Sequence, residues 1–462
     1  MNEAMAVKTG NDVPPWGAGL RVRLSAMMFL QYAAWGVWTP ILGGLYLNDP
    51  GGMGFSGTQT AQIYATWAVA TIIAPLIAGQ IVDRYLATQR FLAIVNVAGG
   101  GLMFLMAQVA PGRFWDFFLL MAAYQLLCAS TMGLTASLAF HHLPNGEKQF
   151  GSIRLWGTVG FIAISLAFGE WLKDWELLRK LLGSSAQTGS AAPNPMNVGQ
   201  CLNWAGALSL LYGVYCWSLP HTPPAREARN PFAFLEALKL MREHSFAVLL
   251  VVSVVVATEL QFYFIFGSKF FTTLGFDSGT ATQLMTIGQV VEVATLVALP
   301  WFVNRFGIKT TIAVGILAWT VRYSIFALGQ PWWLVVASQG LHGLAYGFFF
   351  VGGQIYTERV ASKDIRASAQ SLMLLATLGV GKLIYSLIAG PIKDYFTTSV
   401  DGQILTDWPY VFLVPAAVTL VGAILFVFFF AEKSKEQLSA QGTGLPTDDP
   451  QAMPALKEVV TR

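Results

Sequence analysis

Arg154 and Glu292 each interrupt a long apolar stretch of the 462-residue chain. An ion at the centre of a bilayer costs about 2.5–3.5 kcal/mol on insertion scales, so such residues face a polar interior or a water-filled cavity. Glu292 has Gln289 three residues earlier, which puts both on one helical face. A carboxyl in such a place is driven towards its protonated form by desolvation, and a changing environment moves it between states. That is the property a proton-coupled carrier requires of one residue. Arg154 has Thr158 at i+4 and Phe161 at i+7, so one face offers a cation, a hydroxyl and an aromatic ring. A structural reading stands beside each: Arg154 as an anchor of its helix end, Glu292 as a buried carboxylate with a fixed arginine partner.

Further candidates come from spacing. Gln31, Trp35 and Trp38 fall at i, i+4 and i+7, and His342, Tyr346 and Phe350 at i, i+4 and i+8, with Gln354 beyond. Such stripes pack helices together or, facing a shared cavity, make stacking walls for a planar ligand. A lone histidine such as His342 is commonly a hydrogen-bonded core residue. Glu259 and Gln261, two apart, cannot share a helical face. Spacing leaves open which of them faces a cavity and which pairs elsewhere, for example with Arg322.

The elements that position these residues follow from composition. The chain is 55% hydrophobic and 11% charged, with a mean hydropathy of +0.55. Soluble domains carry roughly 25% charged residues, so a membrane protein is the class that fits. Stretches long enough to span the hydrocarbon core occur about twelve times. They are 24–47, 58–82, 91–110, 115–140, 149–172, 199–219, 245–272, 279–303, 308–328, 332–356, 367–390 and 409–431. Asn145 is the expected cap of the fifth, and Arg154, nine residues on, would lie about 14 Å along its axis.

Two polar intervals are long. That around 173–198 is expected to be an external loop, and that at 220–244 to carry an amphipathic surface helix with Phe234, Leu235, Leu238 and Met241 on one face. Alternate gaps between spans hold nineteen lysines and arginines against five, which places both termini in the cytoplasm. The polar N-terminus lacks an apolar run followed by a small-residue cleavage site, so a cleaved signal is not expected. Cys128, Cys201 and Cys216 lack metal-ligand spacing and read as small apolar fillers. No metal cluster, nucleotide-binding loop or nucleophile–base pair is legible. This excludes ATP-driven transport and leaves no cofactor, nucleic-acid partner or enzymatic reaction to expect.

A weak internal repeat completes the organisation. Gly79-Gln-Ile-Val-Asp83-Arg84-Tyr85 follows the second span, and Trp301-Phe-Val-Asn304-Arg305-Phe306-Gly307 follows the eighth; Ile153-Arg154 and Ile365-Arg366 open the fifth and eleventh. The expected division is residues 1–219 as a first six-helix half, 220–244 as a cytoplasmic linker, 245–431 as a second half and 432–462 as a disordered cytoplasmic tail. Two parallel six-helix repeats resemble the architecture of the major facilitator superfamily. The loop at Gly79, Asp83 and Arg84 resembles that superfamily's signature, which implies a conformational latch there and at Asn304 and Arg305.

FLQYAAWGVW at 29–38, SIRLWGTVGFI at 152–162, TELQ at 258–261, GQVVEVATLVALPWFVNRFGIK at 288–309, AWTVRYSIFALG at 318–329 and IRASAQSLML at 365–374 resemble the nucleoside:proton symporters of bacteria. The resemblance covers nearly the whole chain. It implies nucleoside uptake with a proton through alternating access, in the bacterial inner membrane and as a monomer. It also implies a site lined by Arg154, Thr158, Phe161, Gln261, Gln289 and Glu292, which assigns Gln261 rather than Glu259 to the cavity. Gln261, Gln289 and Glu292 would bond the ribose and base, Phe161 and Tyr346 would sandwich the base, and Gln31, Trp35 and His342 would complete the lining. Arg154 and Glu292 would couple the proton. The chain departs from the family pattern at Phe264, His342 and Gly347, where relatives carry asparagine, tyrosine and aspartate. Lys269 and Lys382 are candidates to replace the lost polar function. A proton-coupled carrier of a sugar or other small polyol is the alternative.

Overall fold

The structure is a computed structural model that describes residues 17–144, 146–174, 195–224, 238–361, 365–401 and 403–432. Their apolar stretches fold as helices because a backbone in hydrocarbon must satisfy its own N–H and C=O groups. Twelve helical rods result among the described residues. They are α1 (Ala18–Gly36), α2 (Gly57–Arg84), α3 (Thr88–Ala107), α4 (Phe114–His142), α5 (Gly146–Leu172), α6 (Cys201–Cys216), α7 (His244–Thr273), α8 (278–306), α9 (308–328), α10 (Trp332–Val360), α11 (Ser368–Tyr395) and α12 (Trp408–Phe429). Gly307, at φ +82°, breaks the chain between α8 and α9, a conformation that favours glycine. Local sequence sets other ends. Ser56 and Gln59 form a capping box on α2, and the Asp277 side chain accepts from Thr280 N at the start of α8. A short antiparallel hairpin, β1 (Thr397–Val400) and β2 (Gln403–Thr406), joins α11 to α12.

Eight stretches of the described chain are long and apolar enough to cross a membrane. Their outward faces agree. Ile73, Ile94, Leu119, Leu211, Val297, Val321 and Leu420 are exposed mid-helix, while Trp115, Trp217, Trp332, Trp333 and Tyr410 are exposed near helix ends. An apolar belt between aromatic rims is the surface a bilayer requires. Of the expected surface helix, only a single 3-10 turn at Leu238–Arg242 lies within the described residues, with Leu238 and Met241 exposed. The remainder of that helix, the Asn145 cap, the loop 175–194 and the tail beyond 432 lie outside them.

Within the first six helices α1 packs on α5 and α3 on α6; within the last six α8 packs on α10 and α9 on α12. Across the middle, α2 meets α11, α5 meets α8, and the helical turn Gly43–Leu47 after α1 meets α7. Three polar clusters join the two sets, all at the end bearing the α1–α2 and α7–α8 turns. Asp394 accepts from Gly57 N, Thr58 N and Thr58 Oγ1 at 2.7, 2.7 and 2.8 Å, capping α2 from the end of α11. Lys173 donates to Gln283 at 2.7 Å, and Gln283 donates to Glu170 at 2.6 Å, joining α5 to α8. Lys269 pairs with Asp49 at 2.5 Å. Gly390 lies against the Gly57 backbone and Gly279 against that of Gly169, so the helices touch there without intervening side chains.

These clusters and glycine contacts seal the two sets against each other at this end. A hydrogen bond to a charged group contributes about 1.5–3 kcal/mol. Asp394→Ala strands two helix N–H groups and shifts the resting population towards opening at this end. Spin labels at Asp116 and Trp333, read by double electron–electron resonance, will show a longer-distance population in the variant. An unchanged distribution would mean that the glycine contacts alone hold the seal.

Candidate functional site

Glycines set the separation of α1 and α5. A Cβ at Gly36 would lie 2.8 Å from Phe161 O, and one at Gly157 would lie 2.7 Å from the Tyr32 ring. Ser165 Oγ donates to Gly36 O at 2.9 Å, tying the pair at one level. Close approach places the Tyr32 ring under the Arg154 guanidinium, whose carbon is 4.1 Å from the ring centroid. A cation over a ring face gains about 0.5–2 kcal/mol, rising with desolvation. Arg154 is thereby held by α1 rather than by a carboxylate.

The facing wall is built the same way. A Cβ on Gly288 would meet His342 of α10, and one on Gly343 would strike the backbone of Glu292. Behind this contact lies the fully buried Arg322 of α9. Its Nη1 donates to His342 Nδ1 at 3.1 Å and its Nη2 to Gln339 Oε1 at 2.8 Å. The same guanidinium sits 4.0 Å from the Tyr263 ring of α7. This cluster fixes α7, α9 and α10 together. The Glu259 side chain, one partner considered for Arg322, lies outside the described residues.

Between the walls, Tyr32, Arg154, Glu292 and Tyr346 come together from α1, α5, α8 and α10. All four are partly buried. Glu292 lies within the field of Arg154, and both tyrosines lie within the field of both charges. Among the described residues, however, no direct ion pair joins Arg154 to Glu292. The two charges belong to different halves and act on each other through space.

The other residues singled out from sequence divide into two groups. Thr158 and Phe161 follow Arg154 along α5, and Trp35 packs edge-on against Trp67 at 4.9 Å; all remain partly open. Gln289 is 8% exposed, and its amide, oriented so that nitrogen meets carbonyls, donates to Met285 O at 2.7 Å. Gln31, Gln261 and His342 are almost fully buried and have internal partners. Gln31 donates to Thr131 at 3.0 Å and accepts from Tyr212, Gln261 accepts from Ser386 at 2.8 Å, and His342 accepts from Arg322. In the last turns of α2, Gly79 is partly buried, Arg84 is exposed, and the Asp83 side chain is outside the described residues. Asn304 and Arg305 are exposed before the break at Gly307, and Glu432 accepts from Ile308 N and Lys309 N just beyond it. Spacing did not single out Tyr32 or Trp67. The signal available for Tyr32 was its position one turn before Gly36 on the face that meets Gly157.

The sequence profile described as "Nucleoside H+ symporter" matches residues 18–435. The chain belongs to the nucleoside H+ symporter family. It is 34% identical over 425 residues to YegT of Escherichia coli (strain K12), covering 90% of this chain and 94% of that one. Identity to the nucleoside permease NupG of Escherichia coli (strain K12) is 28% over 434 residues, covering 90% and 96%. The crystal structure of the nucleoside transporter NupG superposes with a TM-score of 0.75 at 27% identity, covering 90% of this chain and all of that one. The symporter is an all-α multi-pass membrane protein with the major facilitator fold, a carrier of nucleosides with protons rather than an enzyme. The polyol alternative is not favoured by these findings.

Because Gly343 lies against the Glu292 backbone, Gly343→Ala forces α8 and α10 apart where the carboxyl is placed. Overpacking of this kind costs about 1–3 kcal/mol. The variant is expected to lower nucleoside uptake at least tenfold with reduced thermal stability in detergent. Unchanged uptake at equal expression would show that the spacing of this wall is not critical.

Proposed function

We propose that the nucleoside occupies the space between the Tyr32–Arg154 wall and the Glu292–Tyr346 wall, and that Glu292 carries the coupled proton. The observation behind this reading is the open pair of opposite charges. Both groups sit on glycine-docked helices of different halves, within each other's field but unjoined. When the sealed end opens, water reaches Glu292 and a proton can bind; the neutral carboxyl then donates to a ligand hydroxyl or base oxygen. When the opposite end opens, Arg154 favours the anion, which releases the proton and weakens the hold on the ligand. Arg154 therefore sets the proton affinity of Glu292, and Tyr32 fixes Arg154.

In this reading Thr158, Gln289 and Tyr346 supply hydrogen bonds, and Trp35 and Phe161 supply stacking surface. Gln31, Gln261 and His342 act one layer behind, holding α1, α7 and α10 in place. The sealed end faces the periplasm, both termini face the cytoplasm of a bacterial inner membrane, and the carrier works as a monomer in the bilayer. The halves 1–219 and 245–431 rock about the site, with 220–244 as linker and 432–462 as a tail. Gly79, Asp83, Arg84, Asn304 and Arg305 latch the cytoplasmic ends when the periplasmic end opens.

The test is uptake of labelled uridine and adenosine by cells lacking their own nucleoside carriers, with and without a protonophore. Accumulation that collapses with the protonophore is expected, while free ribose and disaccharides fail to compete. Glu292→Gln is expected to lose accumulation but retain nucleoside exchange down a gradient. Proton-driven accumulation by that variant would exclude Glu292 as the carrier of the proton.

A further inference from the structure

Lys382 lies midway along α11, just after a π-helical stretch, Leu375–Gly381, whose last residue packs against Ala257 of α7. Its ammonium sits 5.4 Å from the Trp67 ring centroid. Among the described residues it has no hydrogen-bond or carboxylate partner. Trp67 packs edge-on against Trp35 at 4.9 Å, Trp35 lies 5.7 Å from Tyr32, and Tyr32 carries Arg154 at 4.1 Å. A continuous wall of three aromatic rings thus runs across α1 and α2 with a cation at each end. Its two cations come from opposite halves, so the wall spans the join that opens and closes during transport.

A ring face replaces little of an ammonium's hydration, and a charge held in a protein interior requires an oppositely charged or strongly accepting partner. Beside the ring wall the described cations are Arg154 and Lys382, and the described carboxyl within the field of Arg154 is Glu292. An anionic ligand would balance the excess of cation among these groups. Flanking indoles favour a flat ring over a sugar at this position, since stacking needs a π-face.

We infer that Lys382 is a specificity-determining residue that receives the anionic edge of a nucleoside base stacked on Trp35, giving preference to nucleosides whose base is ionised at neutral pH. The inference rests on the central site holding a nucleoside, as proposed above.

The experiment compares xanthosine, whose base is ionised near neutral pH, with uridine, whose base is neutral. The wild type is expected to show a lower KM for xanthosine. Lys382→Gln is expected to raise that KM at least tenfold, to change the uridine KM less than threefold, and to leave the maximal rates similar. Lys382→Arg is expected to restore xanthosine preference. Where Lys382→Gln is poorly expressed, Lys382→Met gives the same readout, and binding to the purified full-length protein by calorimetry separates affinity from turnover. An equal effect on both substrates, or none, would overturn the assignment while wild-type uridine uptake still supports the carrier reading. Absence of any nucleoside uptake by the well-expressed wild type would instead remove the reading on which it rests.

Discussion

Two opposite charges held near each other on different halves of a membrane protein, without a direct ion pair, are the constraint on which the proposed mechanism depends. Their direct contact would make a closed, static ion pair, and their wide separation would leave each with an unrelieved cost of about 2.5–3.5 kcal/mol or more. The arrangement here lies between these limits. Arg154 is partly relieved by the Tyr32 ring, and Glu292 is within its field but unpaired. Small changes in wetting, separation or occupancy therefore have a large effect on whether Glu292 holds a proton. On the reading proposed above, coupling needs no additional machinery, provided that the backbone fixes each group within its own half.

Backbone contacts fix the place of each group within its own half. Long flexible side chains between helices would let the walls drift, whereas glycine at Gly36, Gly157, Gly288 and Gly343 brings helix against helix at van der Waals distance. The buried Arg322 cluster stiffens the second wall by tying α7, α9 and α10. The sealed end is built differently. Its glycine contacts are supplemented by carboxylates on helix N–H groups and by lysine–carboxyl pairs, which water can replace when the helices part. Each such bond is worth a few kcal/mol at most, comparable to the differential binding a ligand must supply to shift a two-state equilibrium. A purely apolar seal of the same area would be harder to open and less responsive to the site.

Much of this was legible in the chain because its causes are local. Apolar length marks spans, and an ion inside a span marks a site, so Arg154 and Glu292 stood out without knowledge of any neighbour. The resemblance to a symporter family rested on whole segments and is supported by the profile match across residues 18–435. Facing was less legible. Gln31 and Trp35 share one helical stripe, yet Gln31 is consumed by Thr131 and Tyr212 while Trp35 stays open. Tyr32, 60° from Trp35 around an ideal helix (~100° per residue), is the residue that meets Arg154. Which of two adjacent stripes points inward depends on α4, α5 and α6, and a single helix carries no record of them. In α10 the π-helical turn at Tyr346–Val351 resets the phase, so regular spacing from His342 to Phe350 could not define one face.

The second wall is largely aromatic. His342 spends its Nδ1 on Arg322 and its ring on Tyr263 and Tyr346, and Phe264 completes the aromatic contact. Gly347 has no side chain to offer, and a Cβ there would crowd Thr295 of α8. This side of the site thus presents rings, with Gln289, Glu292 and Tyr346 as its polar contributors in the proposed reading. On the other side, Lys382 adds a cation against the Trp67–Trp35–Tyr32 wall. On the reading proposed above, this cation acts on the charge of the site more than on its shape. Selection among ligands of nearly equal size then falls to charge, since a site of fixed width discriminates weakly between similar rings but strongly between a neutral edge and an ionised one.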